Sequence, residues 1–218
     1  MLRSRAVVFI SRALCALVAL APVAARAHPH VWITGREAVV FNEAGEIEAI
    51  RHAWVFDEMY SAFVIEGANK PKGARLTRAD LAPLAKNNVD DLAEFDYFTH
   101  AKLKGARLEF GEPRNYALEE IEGKRIVLTF EMPLKAPVSA KLFSFQIYDP
   151  TYYVAFELDP KAPVELVGAP KGCSTNLNAA KPLAKTDAQK LSESFFTNLS
   201  PGADFGVKLA ASVVVACP

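Results

Sequence analysis

Two short runs rich in β-branched and aromatic residues lie near the start of the chain, at residues 36–41 and 47–56. The segment between them, from Asn42 to Glu46, is mostly polar and contains Gly45. Runs of this composition, bounded by turn-forming residues, are typical of strands. The pattern therefore predicts a β-hairpin in this region.

Two helices are predicted after the hairpin. Asp57 is placed to cap a helix over residues 58–66, which Gly67 would end. Thr77 and Asp80 have the spacing of a capping box. Beyond this box, apolar residues at Leu81, Leu84, Leu92 and Phe95 continue the helical spacing toward His100. A break in the helix is expected near Asn87.

The rest of the chain has the texture of strands. The candidate strands lie at residues 115–119, 124–131, 141–148, 152–158, 163–167 and 211–217, and turns separate them. One more helix is predicted at 186–197. Strands that follow one another through short turns favour antiparallel pairing. We therefore predict an α+β fold, a mainly antiparallel sheet with helices packed on one side, in a single domain.

The first 27 residues have the order of a secretory signal peptide. Arg3 and Arg5 precede an apolar stretch, and the segment ends at Ala25-Arg26-Ala27, a small-x-small site. The alternative is a membrane anchor, but the uninterrupted apolar run from Ala13 to Ala21 is shorter than the ~20 residues that a spanning helix needs. We predict cleavage after Ala27, a domain over residues 28–218 and a periplasmic location.

Charge and cysteine content narrow the function classes. Without residues 1–27 the chain has 21 basic and 25 acidic residues, so nothing in its charge favours nucleic acid or an anionic membrane surface. Two cysteines remain, Cys173 and Cys217. An even pair in an exported chain predicts a disulfide, with paired thiolate metal ligands as the weaker alternative.

Cleavage after Ala27 would start the mature chain with His28-Pro29-His30. The free amine of His28 and two imidazoles would then lie within three residues. An extended segment places alternate side chains on one face, and Pro29 favours that conformation, so both rings can reach one ion. Nitrogen donors of this kind suit zinc, nickel and copper. The alternative is that the motif is only the polar start of an edge strand.

Pro29 excludes one known geometry. The amino-terminal copper and nickel motif needs a deprotonated amide at position two, and proline has no amide proton. A brace formed by the amine and ring of His28 with a second histidine remains available. Cleavage after Ala25 would restore the amide motif, but Arg26 is a poor residue to follow the cut.

Two further residues are candidate metal ligands. His52 lies on a predicted strand among Ile50, Trp54 and Phe56, where a hydrogen-bonded core histidine is the favoured interpretation. Asp57 follows the same strand, and its simpler role is helix capping. Asp149 precedes Pro150 and is interpreted first as a turn residue.

Three motifs together resemble a known family. They are HPHVWI at residues 28–33, WVFDE at 54–58 and YDPTYY at 148–153. The chain resembles the periplasmic proteins grouped as domain of unknown function 1007, also described as periplasmic components of uncharacterised ABC transport systems. The resemblance covers the mature chain and implies an association with nickel/cobalt-efflux-type permeases and zinc handling. By this resemblance, His28, His30 and Asp57 are candidate metal ligands.

The leading hypothesis is a metal carrier or chaperone that serves an inner-membrane metal permease and is not itself membrane-spanning. The predicted metal site comprises His28, His30, Asp57 and His52, and the cargo is zinc, nickel or copper. The alternatives are a metal-independent accessory subunit of a transporter and, less favoured, a histidine-brace copper oxidase. No catalytic residues are predicted, because no nucleophile–base arrangement stands out.

Overall fold

The computed structural model describes residues 29–68, 70, 71, 73–180 and 206–218. Within these residues, strand positions outnumber helical positions more than two to one. The strands, numbered in chain order, are β1 Val31–Phe41, β2 Ile47–Phe56, β3 Thr99–Leu103, β4 Ala106–Arg107, β5 Arg114–Ile121, β6 Arg125–Val138, β7 Phe143–Ile147, β8 Val154–Leu158, β9 Val164–Val167, β10 Ser174–Asn178 and β11 Ser212–Ala216.

The strands form two sheets. The first has the order β5-β6-β2-β1-β8, and β9 also pairs with β1. The second has the order β10-β11-β7-β3-β4. The predicted hairpin is confirmed as β1 and β2, which pair antiparallel from Ile33 opposite Phe56 to Phe41 opposite Ile47. Gly45 adopts a positive φ of 75° in the connecting turn, a conformation that glycine tolerates without strain.

Two α-helices, α1 Glu58–Gly67 and α2 Arg78–Leu92, connect β2 to the second sheet. Both predicted caps are confirmed: Asp57 accepts from the backbone of Tyr60, and Thr77 and Asp80 form a capping box. The expected break near Asn87 is wrong, because α2 continues through it. The helical pattern instead ends in a 3₁₀ segment, Ala93–Phe98, and His100 lies in β3. The helix predicted at 186–197 lies outside the described residues.

One hydrophobic core is shared by both sheets. Inward-facing residues of β2 and β6, such as Trp54 and Phe130, belong to the same buried cluster as Phe143 and Phe145 of β7 and Val213 of β11. Strand alternation explains this selection, since every second side chain points to the same face. The shared core therefore packs the first sheet against the second sheet and against the helices.

The fold class requires a correction. The expected sheet is present, but the described chain is mainly β, with two sheets and a small share of helix. Most of the described strand pairs are antiparallel, as expected, but β1 runs parallel to β8 and to β9. Helix α1 has only ten residues and α2 fifteen. None of the described helices has the length and apolar character needed to span a membrane.

The predicted cysteine pairing is confirmed. Cys173 and Cys217 form a disulfide, with Cα atoms 4.1 Å apart. The bond closes the end of the β10–β11 pair, in which Ser174 lies opposite Ala216. It therefore fixes the carboxyl end of the chain to the second sheet.

Candidate functional site

His30 lies where the described chain enters the first sheet. Its backbone N–H donates to the carbonyl of Tyr153 at 2.9 Å. Its ring stacks on the ring of Tyr153, with centroids 4.6 Å apart and planes inclined by 23°. His30 is thus held in a fixed place just before β1, beside the loop that leads into β8. His28, the other predicted imidazole ligand, lies outside the described residues.

Asp149 builds the loop that presents Tyr153 to His30. Its Oδ1 accepts from the backbone N–H and the hydroxyl of Thr151, both at 2.8 Å, and its Oδ2 accepts from the backbone of Val154 at 3.0 Å. The predicted turn at Asp149-Pro150 is confirmed by these contacts. The side chain is buried and fully used in shaping the loop.

Asp57 joins the start of β1 to the start of α1. Its Oδ1 accepts from the backbone of Tyr60 and its Oδ2 from the backbone of Trp32, both at 2.8 Å. An N-cap carboxylate satisfies donors that the first helical turn leaves open. Both oxygens of this predicted ligand therefore accept backbone hydrogen bonds, one as the cap of α1 and one from β1.

His52 lies in the interior between the two sheets. Its Nδ1 is 2.5 Å from Oε2 of Glu37, and its Nε2 is 3.3 Å from the hydroxyl of Thr99 on β3. The ring also packs against Phe130, with centroids 4.5 Å apart. This placement supports the hydrogen-bonded core histidine that the sequence favoured.

Glu37 completes this buried network and was missed from the sequence. Its second oxygen accepts from the indole N–H of Trp54 at 3.2 Å. A side chain added at Gly35 would meet this carboxylate, because an ideal Cβ there lies 2.6 Å from Oε1. The available signal was strand alternation, since Glu37 falls on the same face as Ile33 and Val39 of the core.

The predicted metal ligands are not gathered by the described part of the chain. His30 lies before β1, Asp57 caps α1, and His52 is enclosed by the core. Within the described ranges, no group of three or more histidine, cysteine or acidic side chains is arranged to hold a metal ion.

An aromatic cavity of about 470 Å³ opens next to His30. Its lining is mostly apolar and comes from both strands and helices: Val31, Ile33, Trp54, Phe56, Tyr60, Asn88, Asp91, Leu92, Phe95, Phe98, Leu128, Asp149, Thr151, Tyr153 and Val154. The Tyr60 hydroxyl accepts from the Asn88 amide at 3.1 Å. Burial raises the pKa of Tyr60, and the Asn88 contact offsets part of that rise. Tyr153 thus borders both the cavity and His30.

The family model described as Protein of unknown function (DUF1007) matches residues 13–217. The chain belongs to this family. The match spans both sheets and both helices, and it confirms the resemblance seen in the sequence motifs. It also includes every candidate site residue and both cysteines of the disulfide.

Two relatives of this DUF1007 chain extend the comparison. An "Uncharacterized protein" of Haemophilus influenzae is 25% identical over 196 residues, which cover 88% of this chain and 91% of the relative. An "Uncharacterized 15.5 kDa protein in trpE 3'region" of Spirochaeta aurantia is 29% identical over 125 residues, covering 56% of this chain and 88% of the relative. Neither name specifies an activity, so the function has to be inferred from the residues and geometry of the site.

Proposed function

We propose that this protein is an exported, periplasmic metal carrier or chaperone that delivers zinc, nickel or copper to an inner-membrane permease. The observation that supports this most directly is the fixed position of His30, stacked on Tyr153 just before β1. A ring held by stacking loses less conformational freedom on binding an ion than a ring on a loose terminus does.

The proposed site is completed by His28. Its side chain and, after cleavage following Ala27, its α-amine supply two nitrogen donors beside the imidazole of His30. Pro29 restricts the chain between them and favours the extended conformation that brings alternate side chains to one face. An imidazole and an amine are both good ligands for late first-row divalent ions.

Asp57 has a supporting role in this proposal. It accepts from the backbone of Trp32, two residues after His30. This contact fixes the first residues of β1 and so limits how far His30 can move. We assign it to positioning rather than to direct ligation, because both of its oxygens already accept backbone hydrogen bonds.

The transport role follows from the family resemblance together with the predicted export signal. A carrier outside the cytoplasm needs a partner that moves the ion across the inner membrane, and a nickel/cobalt-efflux-type permease fits that requirement. The cargo is an ion, so the carrier needs affinity and release rather than catalytic groups.

Titration of the mature protein with zinc, nickel or copper salts tests the proposal. We expect about one ion bound per chain, with the amine and both imidazoles as donors. The variants H28A and H30A should each weaken binding at least about tenfold, since each removes one ligand. Calorimetry on metal-free protein gives the affinity and the stoichiometry.

The matched control keeps both histidines and moves only the amine. A form with one additional alanine before His28 has the same imidazoles but no amine at residue 28. If that form and H30A bind with unchanged affinity, the proposed site is wrong. Loss of binding in both, with unchanged thermal unfolding, supports it.

A further inference from the structure

The cavity beside Tyr153 has the properties of a binding site for a small molecule. Its volume of about 470 Å³ lies within the range of ligand pockets, and its lining combines apolar walls with a few polar groups. The inference is argued separately from the metal proposal, because His30 is not among the described lining residues.

Aromatic rings form a large part of the wall. Six of them face the cavity from four different parts of the fold: Trp54, Phe56, Tyr60, Phe95, Phe98 and Tyr153. Several are held by their neighbours, as in the Phe56–Tyr60 stack at 4.2 Å and the Phe95–Phe98 contact at 5.5 Å. Ring faces attract cations within about 6 Å of the centroid, most strongly when water is excluded.

The charged groups of the lining are all acidic. They are Asp91 and Asp149, and among the described residues no lysine or arginine lines the cavity. Asp149 is occupied by backbone and hydroxyl donors. The Asp91 carboxylate, in contrast, makes no hydrogen bond or ion pair with other residues in the described ranges, so its charge is available to a ligand.

The end of α2 adds to this negative potential. Asp91 lies in the last turn of α2, where helix carbonyls concentrate partial negative charge. No basic residue lies in that turn, although a cation there would be stabilised. The neighbouring Asp90 is already paired with Lys86 at 2.5 Å, so the uncompensated charge is at Asp91, on the cavity side.

We propose that this cavity binds a small organic cation, an alkylated ammonium compound with an apolar or aromatic body. The apolar part occupies the space among Trp54, Phe56 and Leu128. The cationic head lies against the rings near Asp91 and the carboxyl end of α2. A bare metal ion fits this environment poorly, because the wall offers few oxygen or nitrogen ligands.

Titration of metal-free protein with benzyltrimethylammonium tests this inference. Its uncharged counterpart, neopentylbenzene, has the same shape and serves as the comparison ligand. Tryptophan fluorescence and amide chemical shifts report binding and its location. We expect the cation to bind at least about tenfold more tightly than the neutral compound, with shifts centred on Trp54, Phe95 and Tyr153.

Variants at exposed positions separate the contributions without disturbing the core. D91N should weaken binding of the cation about fivefold to tenfold and leave the neutral ligand unaffected, whereas D90N, one residue away, should change neither. F95L should weaken binding of the cation, because it removes a ring face. F63L changes an exposed phenylalanine outside the cavity and is the control.

Any of the following results would overturn the inference: equal affinity for the charged and neutral compounds, equal effects of D91N and D90N, or absence of any saturable binding. Shifts confined to residues outside the cavity would do so as well. Because all the ligands are tested on metal-free protein, failure here leaves the metal proposal intact, and the reverse also holds.

Discussion

Glu37 is a carboxylate in the centre of the shared core, with only 3% of its surface exposed. Burial of a charged group is unfavourable unless hydrogen bonds compensate it. Glu37 has two such contacts, to Nδ1 of His52 and to the indole of Trp54. Through His52 it also connects β1 and β2 to Thr99 in the second sheet. The network therefore holds the two sheets in one arrangement.

Removal of this carboxylate should be strongly destabilising. In E37A the ring of His52 and the indole of Trp54 lose their buried acceptor, so we expect the free energy of unfolding to fall by about 3 kcal/mol or more. Urea denaturation followed by circular dichroism measures the change. E165A, at an exposed position on neighbouring β9, is the control and should change stability by less than about 0.5 kcal/mol. Equal effects of the two variants would contradict the assigned role.

At this scale the sequence predicts residue types better than partners. The apolar neighbours of His52 pointed to a core histidine, and the structure agrees. Asp57 was correctly assigned as a cap. Glu37 could not be found as the partner of His52, because their contact depends on the register of β1 against β2, in which these two residues lie opposite each other.

Three strands of the first sheet are joined by one acidic side chain. Glu131 of β6 accepts from Arg51 of β2 and from Arg114 of β5, with N–O distances of 2.9 and 2.6 Å. Burial raises the pKa of Glu131, but the hydrogen bonds from Arg114 and Arg51 outweigh that effect and leave the pKa below its usual value. A lowered pKa in the folded state means that the ionised form stabilises the fold.

The stabilisation from Glu131 should be complete at neutral pH and should be lost as the pH falls below about 4.3 and through the lower pKa of the folded state. In E131Q we expect the free energy of unfolding at pH 7 to fall by about 2 kcal/mol and its decline on acidification to become shallower. Denaturation curves at a series of pH values test this. E43Q, exposed and outside the network, should retain the wild-type dependence, and an unchanged profile for E131Q would refute the assignment.

Secondary-structure elements were predicted correctly where the residues that indicate them lie within a few positions of one another. The β1–β2 hairpin and the capping box at Thr77 are of this kind. Strand β3 was missed because apolar spacing continues past α2, while the chain changes direction at Asp96 and Tyr97, where φ is 53° at both residues. Such backbone geometry is rare for residues other than glycine, and the sequence gives no sign of it.

The disulfide is the covalent link at the scale of the whole molecule. It joins residues 44 positions apart, and closing a loop of that length is worth about 4 kcal/mol in the chain-entropy model. The double variant C173A/C217A should therefore lose about that much stability in urea denaturation. Wild type treated with a reductant should lose the same amount. A double variant as stable as the oxidised protein would show that the bond contributes nothing.

The arrangement of the two sheets could not be predicted. Strand β1 pairs in parallel with β8 and β9, which follow it by more than 100 residues, and periodicity along the chain holds no information about such distant partners. The expected α+β class came from strands that follow one another through short turns, together with the helical segments between them, and this pattern does not show how the strands divide into sheets.

The proposed carrier function requires His30 to act as a metal ligand beside His28. Nitrogen NMR of the histidine rings in the mature protein, recorded with and without zinc, tests this directly, because the chain has only four histidines. We predict large zinc-dependent shifts for the rings of His28 and His30 and none for His52 in the core. An unchanged His30 ring at saturating zinc would contradict the proposed function.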